Sequence, residues 1–446
     1  MTTISIDFSK KNGKIKPFHA VNNAPIHGLR GITNMELWKA AHIPYGRLHD
    51  TALCSSYGGE WVVDVHRIFR DFDADETDPK NYIFAPTDKL LNTLFEAGTK
   101  PYFRLGASIE HRYKYGTFPP KDYEKWARIS EHIIRHYTEG WGGGFEMDIE
   151  YWEVWNEPDN YNPSGNPCWQ GTPEEFADFF CTVLPLLQKK FPHLKIGGPA
   201  IAWISSDRDW CQYFFSEMER RGVRPDFISY HCYKSNVEKC IDYVRDANVL
   251  LERHGYGDVE THLNEWNFVR GWHGEDYVHS VKSIIGLKGA AYTASMMCAL
   301  HPEKLDMLMY YDARPGGWCG LFSQPLLEPL KGYYPFLAFG KLLDLGTAVE
   351  SECRDFIYSL GATNGKDSAV LISYFNQDDG IEPKTVCLNI QNAPAAKEHL
   401  QAVRLLLLDE AHNLECVREQ TVTASDFSLT LDMPPYTTYL IEIQAI

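Results

Sequence analysis

Two glutamates in similar short segments are the first candidates for catalytic residues. Glu157 stands in WNEP and Glu265 in LNEW, each at the end of a short aromatic and β-branched run. Two carboxylates that face one pocket can cleave a glycosidic bond, because one protonates the leaving oxygen while the other attacks the anomeric carbon or activates water. The alternative is that both glutamates are simply solvated. A lone Asn-Glu-Pro is a weak signal, whereas two Asn-Glu pairs at strand ends are a strong one.

His231 and Tyr233 accompany these glutamates on another predicted strand. Side chains two residues apart on a strand point to the same face. If that face is the pocket, Tyr233 can donate a hydrogen bond to Glu265 and keep it ionised. His231 could then contact a sugar or tune the acid. The alternative for His231 is a hydrogen-bonded core histidine.

Arg47 and His49 are likewise two residues apart on the second predicted strand. A guanidinium beside Glu265 would lower the pKa of that carboxyl. The rival interpretation of Arg47 is a structural ion pair inside the fold, with Glu153 as its partner. Both interpretations stay open from the sequence alone.

The sequence predicts no metal and no cofactor. His49, His66, His231 and Glu265 could suggest metal ligands, but neither H-E-x-x-H nor H-x-x-E-H spacing occurs. The glycine runs at 142–144 and 197–198 lack the G-x-x-x-x-G-K pattern of a phosphate-binding loop.

Eight strand-like runs alternate with helical patterns up to about residue 345, after which the sequence has only short strand-like runs. The runs are PFHAVNN, IPYGRLH, KPYFRLG, EYWEVWN, KIGGPAI, FISYHCY, THLNEWN and DMLMYYD. Eight such units predict an α/β fold of the (β/α)₈ or TIM-barrel type, in which catalytic groups lie at the carboxyl ends of strands. Glu157 then ends the fourth strand and Glu265 the seventh. The clearest helical patterns are Lys121–Tyr137, Glu174–Lys190, Asn236–His254 and Tyr277–Leu300.

The last hundred residues have a different pattern. FIYSLGAT, SAVLISYFN, KTVCLNIQ, AVRLLLLD, FSLTLDM and TYLIEIQ are short runs separated by turn residues, which is typical of an antiparallel β-sandwich. The N-terminal segment ISIDF is extended and is expected to join that sheet. We therefore predict a barrel over 18–345 and an accessory β-sandwich domain from 1–17 plus 346–446.

The motifs taken together resemble one enzyme family. WEVWNEPD is similar to the acid/base motif of clan A glycoside hydrolases, and YGRLHD, LKIGGPA, ISYHCY, LNEWN and CGLFSQ extend the likeness across most of the barrel. The chain resembles glycoside hydrolase family 39, whose members include β-xylosidases and α-L-iduronidases. The resemblance implies a barrel with a β-sandwich and a retaining, exo-acting hydrolase that removes a terminal xylose-like or arabinopyranose-like sugar.

The resemblance also implies roles for individual residues. Glu157 would be the acid/base and Glu265 the nucleophile, while Asn156 would hold the sugar 2-hydroxyl. Where clan A often has a tryptophan platform on the eighth strand, this chain has Tyr311, with Trp318 a few residues on. Further tryptophans are expected near the pocket rim, and core packing is their alternative: Trp155, Trp266 and Trp272.

Three basic residues depart from the xylosidase pattern. Arg104, Lys234 and Arg314 could bind the carboxylate of a uronate, and Lys234 directly follows Tyr233. The alternative is that each of these residues forms an ion pair with one of the many nearby acidic residues. Because acidic residues are in surplus, ion pairing is the favoured interpretation for each residue taken singly.

Composition excludes several partners and indicates a compartment. Sixty acidic residues against 43 basic ones give a net charge of −17, which disfavours nucleic acid and anionic membranes. We expect no transmembrane span or signal peptide. The 11 scattered cysteines contain no C-x-x-C pair, so reduced thiols in the cytoplasm are expected. The sequence leaves homo-oligomerisation open.

Two other functions remain open at this stage. One is a non-catalytic carbohydrate-binding barrel, against which the presence of both carboxylates argues. The other is a metal-dependent sugar isomerase or aldolase, since barrels host many chemistries.

Overall fold

Eight parallel strands close into a barrel, which confirms the predicted fold class. The computed structural model describes residues 2–27, 31–49, 63–109, 116–161, 165–394 and 400–445. Each barrel strand pairs with its neighbour in chain order, and the last strand pairs with the first. The strands are β2 (Ala20–Asn22), β3 (Tyr45–Arg47), β4 (Lys100–Leu105), β5 (Tyr151–Val154), β6 (Lys195–Ile201), β7 (Phe227–Lys234), β8 (Glu260–Phe268) and β9 (Met307–Tyr310).

Helices surround the barrel and follow the amphipathic patterns of the sequence. A capping box begins α5, where the Thr172 hydroxyl accepts from the Glu175 amide and Pro173 occupies the first turn. The α-helices are α1 (Met35–Ala41), α2 (Val65–Ile68), α3 (Ala85–Glu96), α4 (Tyr123–Thr138), α5 (Pro173–Lys190), α6 (Asp209–Arg221), α7 (Val237–Arg253), α8 (Gly274–Ile284), α9 (Leu287–Ala299) and α10 (Tyr333–Leu345). Short 3₁₀ helices span Pro79–Asn81 and Trp141–Gly143.

The expectation of one helix over Tyr277–Leu300 is wrong. The chain breaks between α8 and α9 at Gly286, which has an extended backbone with φ −111° and ψ −172°. At Gly289 a Cβ would lie 2.5 Å from the carbonyl oxygen of Ser283, so only glycine permits this close approach of the two helices.

The barrel interior is layered from its closed end to its open end. An apolar and aromatic layer closes the amino ends of the strands, and polar side chains occupy the level above it. The lower layer contains Ala20, Tyr102, Tyr151, Phe227, Met307 and Met309. The carboxyl ends of the strands are therefore the side at which polar groups gather, as in other barrels.

The remaining strands form one nine-stranded sheet, in the order β15-β14-β17-β12-β11-β10-β1-β13-β16. All neighbouring pairs are antiparallel except β1 with β13. The strands are β1 (Thr2–Lys14), β10 (Thr347–Ser351), β11 (Ile357–Thr363), β12 (Ser368–Tyr374), β13 (Lys384–Gln391), β14 (Gln401–Leu408), β15 (Asn413–Val422), β16 (Phe427–Met433) and β17 (Thr438–Ala445). The predicted ISIDF segment lies within β1.

The central strands of this sheet are buried on both faces. Along β12, Val370 and Ile372 join an apolar cluster shared by the strands of the sheet, so the sheet must fold over onto itself. Between them, Leu371 points the other way and belongs to the core of the barrel. The sheet therefore packs directly against the barrel. The division into domains at 18–345 and 1–17 plus 346–446 stays a prediction.

Two further expectations concern the state of the cysteines and the presence of a membrane-spanning helix. The ten cysteines in the described ranges have free thiols, whereas Cys54 lies outside those ranges. Among the described residues, no helix combines the length and apolar character needed to cross a bilayer.

Candidate active site

The chain leaves β5 through a left-handed turn that presents Glu157. Trp155 has φ +77° and Glu157 has φ +45°, a region that non-glycine residues rarely adopt. The turn is held because the Glu157 amide donates to the carbonyl oxygen of Ala200 at 2.9 Å. Backbone conformations of this kind cluster at functional sites, where surrounding contacts enforce them.

The two glutamates predicted from the sequence meet at the carboxyl end of the barrel. His231 lies between them, with its Nδ1 2.7 Å from Glu157 Oε1 and 3.4 Å from Glu265 Oε2. One ligand atom from each of these three side chains lies within 4.8 Å of the others. The alternative of two separate, solvated glutamates does not hold.

Glu265 is buried among groups that stabilise its negative charge. Its Oε1 lies 2.8 Å from Arg47 Nη1 and 2.9 Å from His49 Nε2, and Tyr233 donates to its Oε2 at 2.7 Å. Burial alone would raise the pKa of Glu265, but the charges of His231, His49 and Arg47 and the hydrogen bond from His49 outweigh it. They hold the pKa of this carboxyl well below its usual value.

Tyr233 keeps its proton in this environment. Burial and the neighbouring charge of Glu265 raise the pKa of the Tyr233 phenol. The phenol is therefore a hydrogen-bond donor to the carboxylate, as the spacing of His231 and Tyr233 on β7 predicts.

Arg47 makes both of the contacts that the sequence left open, one with Glu153 and one with Glu265. Besides Glu265, its guanidinium contacts Glu153 at 2.7 Å, Asn22 at 3.0 Å and Asn156 at 2.6 Å. The arginine thus pairs with a structural acid and with the candidate nucleophile at once. Its own charge is stabilised by two carboxylates, which matters because a buried unpaired charge is costly.

Sequence reasoning missed part of the polar layer beneath the site. Glu153 Oε1 accepts from Ser229 and from Asn264, each at 2.5 Å, and the Asn22 amide donates to the Asn264 carbonyl at 2.8 Å. The shared Asn-Glu pair of WNEP and LNEW marked Asn264 as a neighbour of Glu265. Asn22 and Ser229 lie within quoted runs, PFHAVNN and ISYHCY, but no pattern in those runs marks either residue as part of the site, and closure of the barrel brings them together.

Glu157 has a less charged environment than Glu265. Asn160 donates to its Oε2 at 2.7 Å, and the Cys168 thiol lies 3.7 Å from the same oxygen. The Glu157 side chain is 13% exposed and that of Glu265 is 5% exposed, so Glu157 is the more accessible carboxylate. No sequence pattern marks Asn160 or Cys168 as neighbours of Glu157.

Aromatic side chains form one wall beside the nucleophile. The Tyr311 ring packs edge-on against His49 with centroids 5.1 Å apart. Trp272 contacts Tyr233 and Trp318, with centroid distances of 5.2 and 5.4 Å. Trp272 is 51% exposed and Trp318 is partly buried. Tyr311 and Trp318 thus lie at the site.

Two other tryptophans expected near the rim lie in the core. Trp155 and Trp266 are buried, since the strand ends turn these side chains away from the pocket. Trp155 donates from its indole to the Cys168 carbonyl at 3.0 Å.

The three basic residues considered for a uronate are engaged elsewhere. The Lys234 ammonium lies 4.9 Å from the ring centroid of Tyr243 on α7, because Lys234 and Tyr233 point to opposite faces of β7. Arg104 is buried and pairs with Asp64 at 2.8 Å. Arg314 pairs with Asp312 at 2.9 Å. The structure does not bring Lys234 to the two carboxylates.

The chemistry of the donors argues for a sugar site over a metal site. Glu157, His231 and Glu265 have ligand atoms close enough for one cation. However, Arg47 and His49 already contact Glu265, and a cation bound there would face the guanidinium charge. The arrangement suits one ionised carboxylate and one accessible carboxyl that exchanges a proton.

A closed barrel with paired carboxylates after its fourth and seventh strands is an arrangement that suits glycoside hydrolysis. Residues 52–254 match the family model described as Glycosyl hydrolases family 39. Over this part of its length, somewhat less than half, the chain is similar to that family.

The chain is also similar to a curated relative and to two solved structures. The chain is 29% identical over 253 residues to a β-xylosidase from Caldicellulosiruptor saccharolyticus, covering 52% of this chain and 46% of the relative. The chain thus spans less than half the length of the curated relatives it matches.

The similarity of fold extends over the whole chain. A glucosidase structure from Croceicoccus marinus has a TM-score of 0.80 at 20% identity, covering 100% of this chain and 99% of that one. A monomeric β-xylosidase from Caulobacter crescentus has a TM-score of 0.71 at 16% identity, with the same coverage. At these identities the likeness concerns the fold.

Proposed function

We propose that this protein is a retaining, exo-acting glycoside hydrolase that removes a terminal sugar by double displacement. In the first step Glu265 attacks the anomeric carbon, the glycosidic bond breaks, and Glu157 gives its proton to the leaving oxygen. In the second step Glu157 takes a proton from water, and the water oxygen displaces Glu265 from the sugar. Both carboxyl groups return to their starting states.

The observation that carries this proposal is the short separation of the carboxylates. An oxygen of Glu157 and an oxygen of Glu265 lie within 4.8 Å of each other. Carboxyl groups about 5 Å apart are typical of retaining enzymes, whereas inverting enzymes need about 6.5–9.5 Å to accommodate a water molecule. The lowered pKa of Glu265 supports its role as the ionised nucleophile.

The surrounding side chains have the chemistry to bind one sugar. Arg47 donates to the side-chain oxygen of Asn156 and so orients its amide nitrogen as a donor to a sugar hydroxyl. His49 offers a polar contact, and Tyr311 with Trp318 offers aromatic surface. The names of the relatives favour xylose or a similar sugar, and exo-action follows from the family resemblance.

The test is a panel of aryl glycosides that includes β-xyloside, α-L-arabinopyranoside, β-glucoside, β-galactoside and uronides. We expect turnover of one of the first three, and nuclear magnetic resonance of the first product should show retained anomeric configuration. Inversion would contradict the double displacement. Product analysis on oligosaccharides distinguishes release of terminal sugars from internal cleavage.

Variants of the two glutamates assign the roles. Glu265→Ala should lose more than about a thousandfold in kcat on all substrates. Glu157→Ala should lose about 10²–10⁴-fold with poor leaving groups but much less with activated aryl glycosides. Glu139→Ala, on the surface after α4, is the matched control. Full activity of Glu265→Ala would overturn the assignment.

A metal-dependent sugar isomerase or aldolase is the second candidate, because Glu157, His231 and Glu265 are grouped closely enough for one cation. Stoichiometric metal, together with activity lost on chelation, would favour it. Sugar binding by calorimetry without turnover would instead favour a non-catalytic barrel. Cytoplasmic location and homo-oligomerisation stay predictions.

A further inference from the structure

Trp203 is an exposed tryptophan at the open end of the barrel. Its side chain is 63% exposed, the highest value among the large apolar residues that the described ranges present to solvent. It follows β6 by two residues and therefore lies on the loop next to the one that carries Glu157. A single exposed apolar residue needs no explanation by itself, so the contacts of Trp203 and its neighbours decide what it can do.

The backbone of Trp203 is held in place, and one guanidinium lies over its exposed indole. The buried carboxylate of Asp159 accepts from the amides of Ala202 at 2.8 Å and Trp203 at 3.1 Å. Arg208 forms an ion pair with Asp159 and donates to the Trp203 carbonyl at 2.7 Å. Its guanidinium carbon lies 5.9 Å from the indole centroid, within range of a cation–π contact. A fixed aromatic surface loses little entropy when it binds a ligand.

The same contacts tie Trp203 to the acid/base candidate. Asp159 lies two residues after Glu157, and the Glu157 amide donates to Ala200, three residues before Trp203. The aromatic wall formed by Tyr233, Trp272 and Trp318 lies on β7 and in the loops after β8 and β9, and so surrounds the strand that carries the nucleophile. Trp203 thus lies on the side of Glu157, towards which the leaving oxygen must point in order to receive the proton.

We propose that Trp203 is the stacking platform for the sugar ring on the leaving-group side of the bond that is cleaved. This inference rests on the proposed glycosidase function and adds a specificity determinant to it. The apolar face of a pyranose ring packs on an indole face, and Arg208 keeps that indole in a fixed orientation. Trp203 then favours substrates in which the leaving group is itself a sugar.

The experiment compares two substrates with the same terminal sugar, chosen from the active member of the aryl glycoside panel. One is the disaccharide, whose leaving group is a sugar, and the other is the glycosyl fluoride, whose leaving group has no ring. Trp203→Ala should lower kcat/KM for the disaccharide by about tenfold. It should leave kcat/KM for the fluoride within about twofold of the wild type.

Two control variants complete the experiment. Trp203→Phe keeps an aromatic face and should recover most of the disaccharide activity. Phe356→Ala removes an exposed aromatic from the turn before β11 and should change neither rate. Equal losses on both substrates, or an unchanged rate on the disaccharide, would overturn the inference. Failure of the wild type to hydrolyse either substrate would instead overturn the proposed function itself, and this inference with it.

Discussion

At the scale of single residues, the site depends on one buried guanidinium. Arg47 contacts side chains that come from β2, β5 and β8 or from the turn after β5, namely Asn22, Glu153, Asn156 and Glu265. Buried polar groups are tolerated when all of them are paired, and such networks specify geometry more than stability. The charge of Arg47 helps to keep the pKa of Glu265 low. The hydrogen bond from Tyr233 also stabilises the ionised form of the same carboxyl.

Tyr233→Phe should test that contribution. Removal of the phenol removes a donor to the ionised form of Glu265, so the pKa of Glu265 should rise. We expect the acid limb of the kcat/KM profile to move to higher pH, and kcat to fall by about tenfold or more, since a hydrogen bond to a charged group is worth about 1.5–3 kcal/mol. A pH–rate profile of the variant measures both effects.

The matched control is Tyr45→Phe at the amino end of the barrel, where the phenol donates to Glu150 at 3.2 Å. It should leave the profile in place. An acid limb that does not move in Tyr233→Phe would show that the phenol is not coupled to the ionisation of Glu265.

A site residue could be predicted from the sequence only where it stands in a local pattern. Glu157 and Glu265 were identifiable because each follows an asparagine at a strand end, and Tyr233 because spacing by two fixes its face. Asn22 could not be identified, since its partner Asn264 is 242 residues away and the closed barrel brings them together. Cys168 could not be identified either, since it lies in the loop after β5 and no motif marks it.

At the scale of elements, strands with strong apolar runs were predictable and polar ones were not. All eight barrel strands were predictable, because each is a short β-branched or aromatic run that stands between helical patterns. By contrast, β15 is an edge strand whose side chains are mostly exposed and polar, so no alternation marks it. The break between α8 and α9 depends on a close backbone approach at Gly289 that no periodicity records.

The end of α9 supports a prediction about pH. His301 follows this helix, and its Nε2 accepts from the Lys16 amide at 3.1 Å. Burial lowers the pKa of His301 to about 3, and it does the same for His19. Between pH 3 and about 6.5 the unfolded state therefore binds more protons than the folded state, so stability falls as pH drops below 6.5.

We expect each of these histidines to remove about 2 kcal/mol from the free energy of unfolding at pH 5 compared with neutral pH. Urea unfolding of the wild type and of His301→Gln between pH 7.5 and 5 measures the effect. The glutamine oxygen can accept from Lys16 but does not titrate, so the variant should lose part of the pH slope. His193→Gln, an exposed residue, should retain the whole slope.

At the scale of the whole molecule, lysines connect the barrel to the sheet. Lys288 at the start of α9 donates to the Gln377 carbonyl and pairs with Asp379, both at 2.7 Å. Lys331 before α10 reaches the turn between β14 and β15, where its ammonium donates to the Asp409 carbonyl at 2.6 Å and to Asn413 at 2.8 Å. These contacts surround the apolar interface in which α9 and α10 pack on the sheet.

Lys331→Met should loosen this connection without touching the site. The variant leaves several carbonyl oxygens of the turn without their charged donor, and we expect a loss of about 1.5–3 kcal/mol in the free energy of unfolding. Denaturant unfolding gives the value, and limited proteolysis reports whether the turn between β14 and β15 opens first. Lys341→Met, on the exposed face of α10, is the control. Equal stability of the two variants would contradict a joining role for Lys331.

The candidate catalytic residues come from both halves of the barrel, and this affects how the active site forms during folding. The strands β2 to β5 supply Arg47 and Glu157, while β6 to β9 supply His231, Tyr233 and Glu265. Neither half of the barrel contains both reacting groups, so a fragment that ends midway through the chain is catalytically inert even if it folds. Turnover during refolding therefore requires the two halves to meet, where β5 pairs with β6 and β9 pairs with β2, so recovered activity would report the rate at which they join.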